Sequence, residues 1–494
     1  MPATKQCAGI RTLADLLISE NPQFAAIDVH GIQLDSRKIQ PGDVFLAVAG
    51  EVHDGRQFIE QAVADGAVAV IAESPVSGFV DEMTVPVVEV PELGAEVGQI
   101  AARFYGQPSS ALYMVGITGT NGKTTTSALV AQLCRGLGDT CGVIGTLGAS
   151  LDSAPTEAKN TTPDPVTLQS YLADWRDQGV ESVAMEVSSH ALVQGRVSGV
   201  QFDTAVFTNL SQDHLDYHGS MDSYGRAKLQ LFRAPGLRNA IVNLDDEYAD
   251  SVLAAIPAGV RIVTYSVQGK PADVVFEQLS FHSEGVAGKL RTPWGEGDCS
   301  SPLQGVFNLS NLAAALSVLF VNGAEFGALL AVVNTLVSVP GRMELVTNNQ
   351  GLQVVVDYAH TPDALDHVLR ALRPHVSGSL ITVFGCGGDR DRGKRSIMGR
   401  IASEQSDLVV VTSDNPRTEN PQAIVHDIVS GCTGSYELCI DRAEAIELAL
   451  SRAQAGDCVV IAGKGHENYQ IIDDERLPFS DVQQARLALS GRPQ

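Results

Sequence analysis

The densest chemistry in this chain lies in one short run, Gly119-Thr120-Asn121-Gly122-Lys123-Thr124-Thr125. An apolar stretch, ALYMVGIT, precedes it and a segment with helical spacing follows. Glycines let backbone N–H groups approach a phosphate, a helix N-terminus favours anions, and a lysine neutralises β- and γ-phosphates. Thr124 offers a hydroxyl to Mg²⁺. The spacing departs from the common phosphate loop, which needs glycine where this chain has Ile117; Gly116 lies one residue too far upstream. A purely structural glycine turn is the bland alternative, and the strand–loop–helix context argues against it.

Other candidates are weaker alone. Glu186 closes a second apolar run, SVAMEV, and a carboxylate leaving a neighbouring strand is what Mg²⁺ beside a triphosphate requires. By itself it would be a strand-end surface residue. His214 and His218 stand four apart in NLSQDHLDYH, a spacing that suits zinc. Without a third soft ligand, solvated loop histidines are the commoner outcome. Lys228, in YGRAK, reads in isolation as a solvated helix lysine.

The elements that must position these groups fall into three blocks. Residues 1–108 carry short apolar runs, DVFLAV and AVAVIAE, and end near Gly106-Gln107-Pro108. Residues 109–340 open on the glycine-rich loop, with further strands at ESVAMEV, TAVFTN and NAIVN. A break at Val339-Pro340-Gly341 starts the third block, 341–494, where LQVVVDYAH, SLITVFGCGG, DLVVVTSDNP and DCVVIAGKG alternate with helical segments. That alternation predicts α/β domains with parallel sheets and ligands at the carboxyl ends of strands.

Composition bounds the class. At 494 residues the chain exceeds one compact core, and 44% apolar with 19% charged residues is ordinary for a globular protein. With 34 basic against 58 acidic residues, the formal charge of −24 repels nucleic acid and anionic membranes, so an anionic ligand needs a local pocket. The eight cysteines contain no C-x-x-C pair, against a zinc ribbon or a dense disulfide framework. A signal-peptide core and an eighteen-residue apolar run are both absent from the sequence. The expectation is a reduced, cytoplasmic protein that neither binds nucleic acid nor inserts into membranes.

Taken together, GTNGKTT, MEVSSHAL, NLSQDHLDYHG, YGRAK, FNLSN and PGRME resemble, in order and over essentially the whole chain, the motifs of the Mur ligase family. These are the ATP-dependent amino-acid ligases of peptidoglycan assembly, whose loop also lacks the standard spacing. The resemblance implies three α/β domains: a UDP-sugar-binding one, a central P-loop-type mononucleotide-binding one with a mostly parallel sheet, and a Rossmann-like C-terminal one. It implies activation of a carboxylate by ATP to an acyl phosphate, then attack by an amine.

Carried over residue by residue, Gly119 through Thr125 would hold ATP, with Asn311, Arg342 and Asp357 near base, phosphate and ribose. Lys123 and Thr124 would hold phosphate and Mg²⁺, Glu186 and His214 would serve a second Mg²⁺, and Lys228 would act as a carbamate ligand. Leu34, Ser36, Glu51, Val52 and His53 resemble uridine-diphosphate-binding loops. Asn160, Thr161 and Thr162, with Ser188, Gln194 and Arg196, resemble the muramoyl-peptide contact. The same NTTPDP run also reads as a helix start, with Thr capping and Pro beyond.

Asp414-Asn415-Pro416-Arg417 resembles the signature of diaminopimelate-specific members, supported by Arg390, Gly463 and Glu467. Diaminopimelate carries a distal carboxylate that lysine lacks, and a guanidinium fork binds carboxylate bidentately. The implied reaction adds meso-2,6-diaminopimelate to UDP-N-acetylmuramoyl-L-alanyl-D-glutamate, in a monomeric enzyme. Three alternatives remain. A lysine-adding member would lack Arg417. A folylpolyglutamate-type ligase would lack the uridine-binding block. A non-catalytic nucleotide-binding scaffold would have lost Lys123, Glu186 or Lys228.

Overall fold

The computed structural model describes residues 11–50, 53–79, 83–151 and 160–491. The chain divides into two units, Met1–Ser266 with Lys270–Val274 and Ala314–Glu325, and Val267–Gly269 with Val275–Ala313 and Phe326–Gln494.

The first unit begins with four parallel strands in sequential order, β1 (Gly31–Gln33), β2 (Asp43–Ala47), β3 (Ala69–Glu73) and β4 (Val87–Val90). Side chains alternate across a strand, so β2 and β3 feed two cores. Val44, Leu46, Ala69 and Ile71 pack with Val97, Ile100 and Phe104 of helix α1 (Leu93–Phe104), while Phe45, Ala47, Val70 and Ala72 form a separate cluster.

A second sheet in this unit is built from β5 (Tyr113–Thr118), β6 (Cys141–Gly145), β7 (Gly148–Ser150), β8 (Ser182–Glu186), β9 (Thr204–Phe207), β10 (Asn239–Asn243) and β11 (Arg261–Ser266). Their spatial order is β11-β10-β9-β5-β8-β6-β7, parallel except for the terminal β7. The chain leaves β5 on one side, through α2 (Lys123–Leu137) and α3 (Pro165–Asp177), and later returns on the other as β9. That reversal beside β5 is a topological switch point, where α/β sheets bind ligands at strand carboxyl ends. Helix α4 (Met221–Leu229) follows β9.

In the second unit, β12 (Val274–His282), β13 (Gly285–Thr292) and β14 (Gly295–Ser301) form an antiparallel meander. Helix α5 (Val306–Val321) comes next in sequence. The remaining sheet comprises β15 (Glu344–Leu345), β16 (Gln353–Asp357), β17 (Leu380–Phe384), β18 (Leu408–Val411), β19 (Tyr436–Leu438) and β20 (Cys458–Ala462), ordered β15-β16-β20-β17-β18-β19. Only β15 runs antiparallel. Its strands read as continuous apolar runs because both faces are covered. Val355, Phe384, Val409 and Val460 pack with α6 (Pro362–Leu372), α7 (Gly393–Gln405) and α8 (Pro421–Val429); Val354, Val383, Val410 and Val459 pack with α9 (Arg442–Arg452) and α10 (Asp481–Gly491). A hairpin, β21 (Tyr469–Ile472) and β22 (Glu475–Pro478), lies between β20 and α10 in the chain. Among the described residues, no helix is long and apolar enough to cross a membrane.

Candidate active-site clusters

The glycine-rich run joins β5 to α2, as its strand–loop–helix texture predicted. Gly119 has φ +151°, and a Cβ there would collide with the Thr208 hydroxyl. The loop is laced to the segment after β9. Thr120 N–H donates to Asn209 O and Asn121 N–H to Asn209 Oδ1, each at 2.9 Å, while Thr208 Oγ1 donates to Asn121 O at 2.6 Å. Lys123 folds back over the loop, its Nζ donating to the carbonyls of Gly119 and Thr120 at 2.8 Å each. Thr124 and Thr125 are buried in the first turn of α2.

Lys228 is no solvated lysine. Only 2% of it is exposed, its Nζ donates to Gly119 O at 2.8 Å, and it lies 4.2 Å over the Tyr224 ring. Helix α4 turns this position inward with Tyr224 and Ala227. Burial, then the neighbouring Lys123 charge, pushes its pKa well below the lysine range, against a smaller opposing pull from Asp213. Burial thus disfavours the charged form at this position.

Glu186 ends β8 almost fully buried, with Oε1 accepting from Thr146 N–H at 2.8 Å and Oε2 from Thr146 Oγ1 at 3.1 Å. Its backbone carbonyl accepts from Thr162 Oγ1 at 2.8 Å, and that hydroxyl accepts from Ser188 N–H at 3.1 Å. Arg196 Nη1 donates to Thr162 O at 2.9 Å and its Nε to Gln194 Oε1 at 2.9 Å; Gln194 reaches Tyr217 Oη at 3.3 Å. Thr161 shares a hydroxyl contact with Thr146 at 3.2 Å. Thr161, Thr162, Ser188, Gln194 and Arg196 thus form one hydrogen-bonded group around Glu186. The helix start differs from the expectation: Asp164 is the N-cap, accepting from Thr167 N–H at 3.0 Å. A carboxylate caps better there because both threonines before it are engaged by the 146 and 186 segments. Asn160 is exposed.

His214 and His218 are joined by a third ring, His190, with centroids 4.8 and 5.4 Å away. His218 Nε2 contacts Ser189 Oγ at 2.9 Å, so it is not a freely solvated loop histidine. Desolvation, then the neighbouring histidines, lowers the pKa of His190; His218 is lowered by desolvation, then by His214 and Lys228. Among the described residues, no three His, Cys, Asp or Glu side chains converge as a metal site. Thr124, Glu186 and His214 are the side chains on these segments of a kind that could hold a divalent ion.

The second unit gathers the other candidates. Asn415 is buried: its Oδ1 accepts from Lys464 Nζ and Ile471 N–H, both at 2.9 Å, and its Nδ2 donates to Glu467 Oε2 at 3.0 Å. Asp414 Oδ1 accepts from Asn415 N–H at 2.6 Å. A Cβ on Gly463, which has φ +119°, would press on Asp414 Oδ2. Arg417, half-buried, donates from Nη1 to Gly388 O at 2.8 Å, and its own N–H bonds to Ile471 O at 3.1 Å. Pro416 O sits so close to Gly388 that any side chain there would clash. Arg390, beyond Asp389, is exposed.

Among the buried basic residues that the sequence does not mark are Lys464 and Arg442. Lys464 has no solvent exposure, and Arg442, equally buried, pairs with Asp481 at 2.7 Å while donating to Ser413 O and Ala462 O at 3.3 and 2.9 Å. Arg442 thereby ties together the carboxyl ends of β18 and β20. A lysine in a glycine-flanked GKG run gives the only local hint; the Arg442–Asp481 pairing spans 39 residues and leaves none.

Asp357 is buried, and burial raises its pKa although Met343 and Ala359 N–H groups donate to it at 2.8 Å each. Arg342 lies 4.6 Å over the Tyr358 ring. Asn311 is buried and donates to Asn308 Oδ1 at 3.3 Å. Leu34 packs beside β1, Ser36 is buried in the following turn and His53 is exposed; no hydrogen bond among the described residues links them to the Glu186 group. Glu51 and Val52 lie outside the described residues.

Comparison with known proteins comes from three sides. Family models match residues 28–105 (Mur ligase family, catalytic domain), 117–319 (Mur ligase middle domain) and 341–465 (Mur ligase, glutamate ligase domain). The chain is 46% identical, over 97% of its length and 99% of the relative's, to the UDP-N-acetylmuramoyl-L-alanyl-D-glutamate–2,6-diaminopimelate ligase of Coxiella burnetii. It is 47% identical to that of Pseudomonas aeruginosa, over 94% and 95%. A solved structure of a protein with the same name superposes with a TM-score of 0.76 at 40% identity, covering 98% of this chain and 99% of the other. A folylpolyglutamate synthase from Mycobacterium tuberculosis, at 20% identity and TM-score 0.62, shares the fold over 81% of this chain and 96% of its own.

Proposed function

The chain belongs to the Mur ligase family, and from that premise we propose that it is an ATP-dependent ligase that adds meso-2,6-diaminopimelate to UDP-N-acetylmuramoyl-L-alanyl-D-glutamate. The observation that carries the substrate assignment is Arg417, held on the Gly388 carbonyl in a chain 46% identical, end to end, to relatives named for this reaction. Residues 1–108 take the UDP-sugar, 109–340 the ATP and 341–494 the amino acid, and the enzyme acts as a monomer.

In this reading the loop Gly119–Thr125 and Lys123 cradle the triphosphate, with Asn311, Arg342 and Asp357 near the base, phosphate and ribose. The substrate carboxylate takes the γ-phosphoryl group, giving an acyl phosphate and ADP. The amine of diaminopimelate then attacks the acyl carbon, an amide forms and phosphate leaves. Thr124, Glu186, His214 and Lys228 would hold Mg²⁺, which would supply charge neutralisation on the phosphates. The neutral Lys228 amine adds CO₂ and releases a proton, becoming an anionic carbamate oxygen donor. Thr161, Thr162, Ser188, Gln194 and Arg196 orient the muramoyl dipeptide, and Leu34, Ser36, Glu51, Val52 and His53 the uridine diphosphate. Arg390 and Arg417 bind the distal carboxylate of diaminopimelate, with Asp414, Asn415, Pro416, Gly463 and Glu467 around the rest of that end.

Mass spectrometry of a reaction with both substrates and ATP tests the proposal. The expected product is the UDP-linked tripeptide, one ADP per amide; no mass gain, or a gain with glutamate on a folate acceptor instead, overturns it.

A further inference from the structure

The two arginines assigned to the distal carboxylate stand on different loops, Arg390 after β17 and Arg417 after β18. We propose that Glu419, gripped by the buried Arg395, is a positioning residue that fixes these loops to each other and thereby sets selection for diaminopimelate. This rests on the reading of Arg390 and Arg417 given above.

Arg395, on α7, has no solvent-exposed side chain. Its Nη2 donates to Glu419 Oε1 at 2.7 Å and its Nη1 to Glu419 Oε2 at 3.0 Å, a two-pronged grip; Nη1 also reaches Asp427 at 3.0 Å. The Oε1 that Arg395 holds also accepts Asp389 N–H at 2.6 Å, from the other loop. Arg395 Nη2 touches Gly387 O on that loop as well, at 3.4 Å. The bonding then runs back: Asp389 accepts from Thr418 N–H at 3.1 Å and from Thr418 Oγ1 at 2.9 Å. One carboxylate therefore receives donors from α7 and from the Asp389 loop while sitting two residues beyond Arg417.

Asp389 and Arg417 both adopt left-handed backbone, φ +53° and +51°, which non-glycine residues hold only where surroundings enforce it. Each lies at or beside a proposed reader of the ligand. Side-chain pairing with Arg395 holds the Glu419 carboxyl down at about 2, so the clamp is ionised across the working range. A charge-assisted, bidentate grip orients its carboxylate, and small displacements of a positioned reader cost binding disproportionately. Glu419 keeps 22% of its side chain exposed, away from the apolar core, so its amide can be tested in a folded chain.

The test is phosphate release by the full-length Glu419→Gln enzyme at saturating ATP and UDP-linked dipeptide, with diaminopimelate varied, beside Arg417→Ala and the double variant. Glu419→Gln is expected to raise KM for diaminopimelate about tenfold, leave KM for ATP and dipeptide unmoved, and add little in the Arg417→Ala background. An unchanged KM for diaminopimelate, a parallel rise in all three KM values with a lower Tm, or full additivity with Arg417→Ala overturns the positioning role. If Arg417→Ala raises KM and Glu419→Gln does not, only this inference falls. If Arg417→Ala leaves KM unmoved, the reading of Arg417 falls and takes the inference with it.

Discussion

Lys123 and Lys228 donate to the same acceptor, the Gly119 carbonyl, each over 2.8 Å. Burial of Lys228, and then repulsion from the Lys123 ammonium beside it, push the Lys228 pKa down. An uncharged amine is the form that captures CO₂. Lys228→Ala should therefore lose most ligase activity, and added acetate or formate should restore part of it by replacing the anionic oxygen. Steady-state turnover with and without the short carboxylate measures this; near-wild-type turnover of the alanine variant in bicarbonate-depleted buffer contradicts it.

The same lysine makes a stability prediction with a definite sign. Its folded pKa lies well below its ordinary value of 10.5, so between the two pKa values the unfolded chain binds the extra proton, and at lower pH this position opposes folding in full. The opposition fades as pH rises towards 10.5. Lys228→Met, in bicarbonate-free buffer, should raise Tm at pH 7, with the gain shrinking by pH 10. A constant gain across that range would mean that proton linkage is not the cause.

Thr162 bridges Glu186 O and Ser188 N–H while fully buried. Thr162→Val is nearly isosteric but leaves a buried acceptor and a buried donor unmet, at a cost of about 1–3 kcal/mol. Urea denaturation should show that loss, and KM for the UDP-linked dipeptide should rise because the main chain at 162, whose carbonyl anchors Arg196, loses its ties to Glu186 O and Ser188 N–H.

Arg442 and Asp481 form an ion pair with no exposure on either side. Removing one partner strands a buried charge, so Asp481→Ala should destabilise by about 3–5 kcal/mol. Arg442→Met with Asp481→Leu should recover much of that stability. Because Arg442 also holds Ser413 O and Ala462 O, the double variant should still show a raised KM for diaminopimelate.

Much of this was legible in the chain itself. The run from Tyr113 to Leu137 announces strand, phosphate loop and helix, and the apolar runs at Val354, Val383, Val410 and Val459 announce a sheet covered on both faces. Less legible were elements whose signal is pairing across distance. The strands from Val274 to Ser301 alternate buried with exposed positions, and the helix that packs Phe326 and Leu330 against Gly295 and Gly297 comes only later in the chain, so their alternation blends into loop. Lys228 reads as a surface residue because charged side chains usually are, and Arg395 and Arg442 carry no local mark of burial; partners far away in sequence make it tolerable. The capping of α3 was misassigned to threonine since Asp164 and Thr162 offer the same local chemistry; the tertiary bond to Glu186 decides between them.

Diaminopimelate and lysine differ chiefly at one distal carboxylate, so the account stands on how this enzyme tells them apart. The direct measurement is kcat/KM by phosphate release, with UDP-N-acetylmuramoyl-L-alanyl-D-glutamate and either meso-diaminopimelate or lysine, in wild type and Arg417→Ala. The wild type should strongly prefer diaminopimelate, and the variant should lose roughly ten- to a hundredfold of that preference, the worth of a charge-assisted bidentate contact. Equal use of lysine by the wild type, or a ratio that Arg417→Ala leaves unmoved, would contradict the assignment.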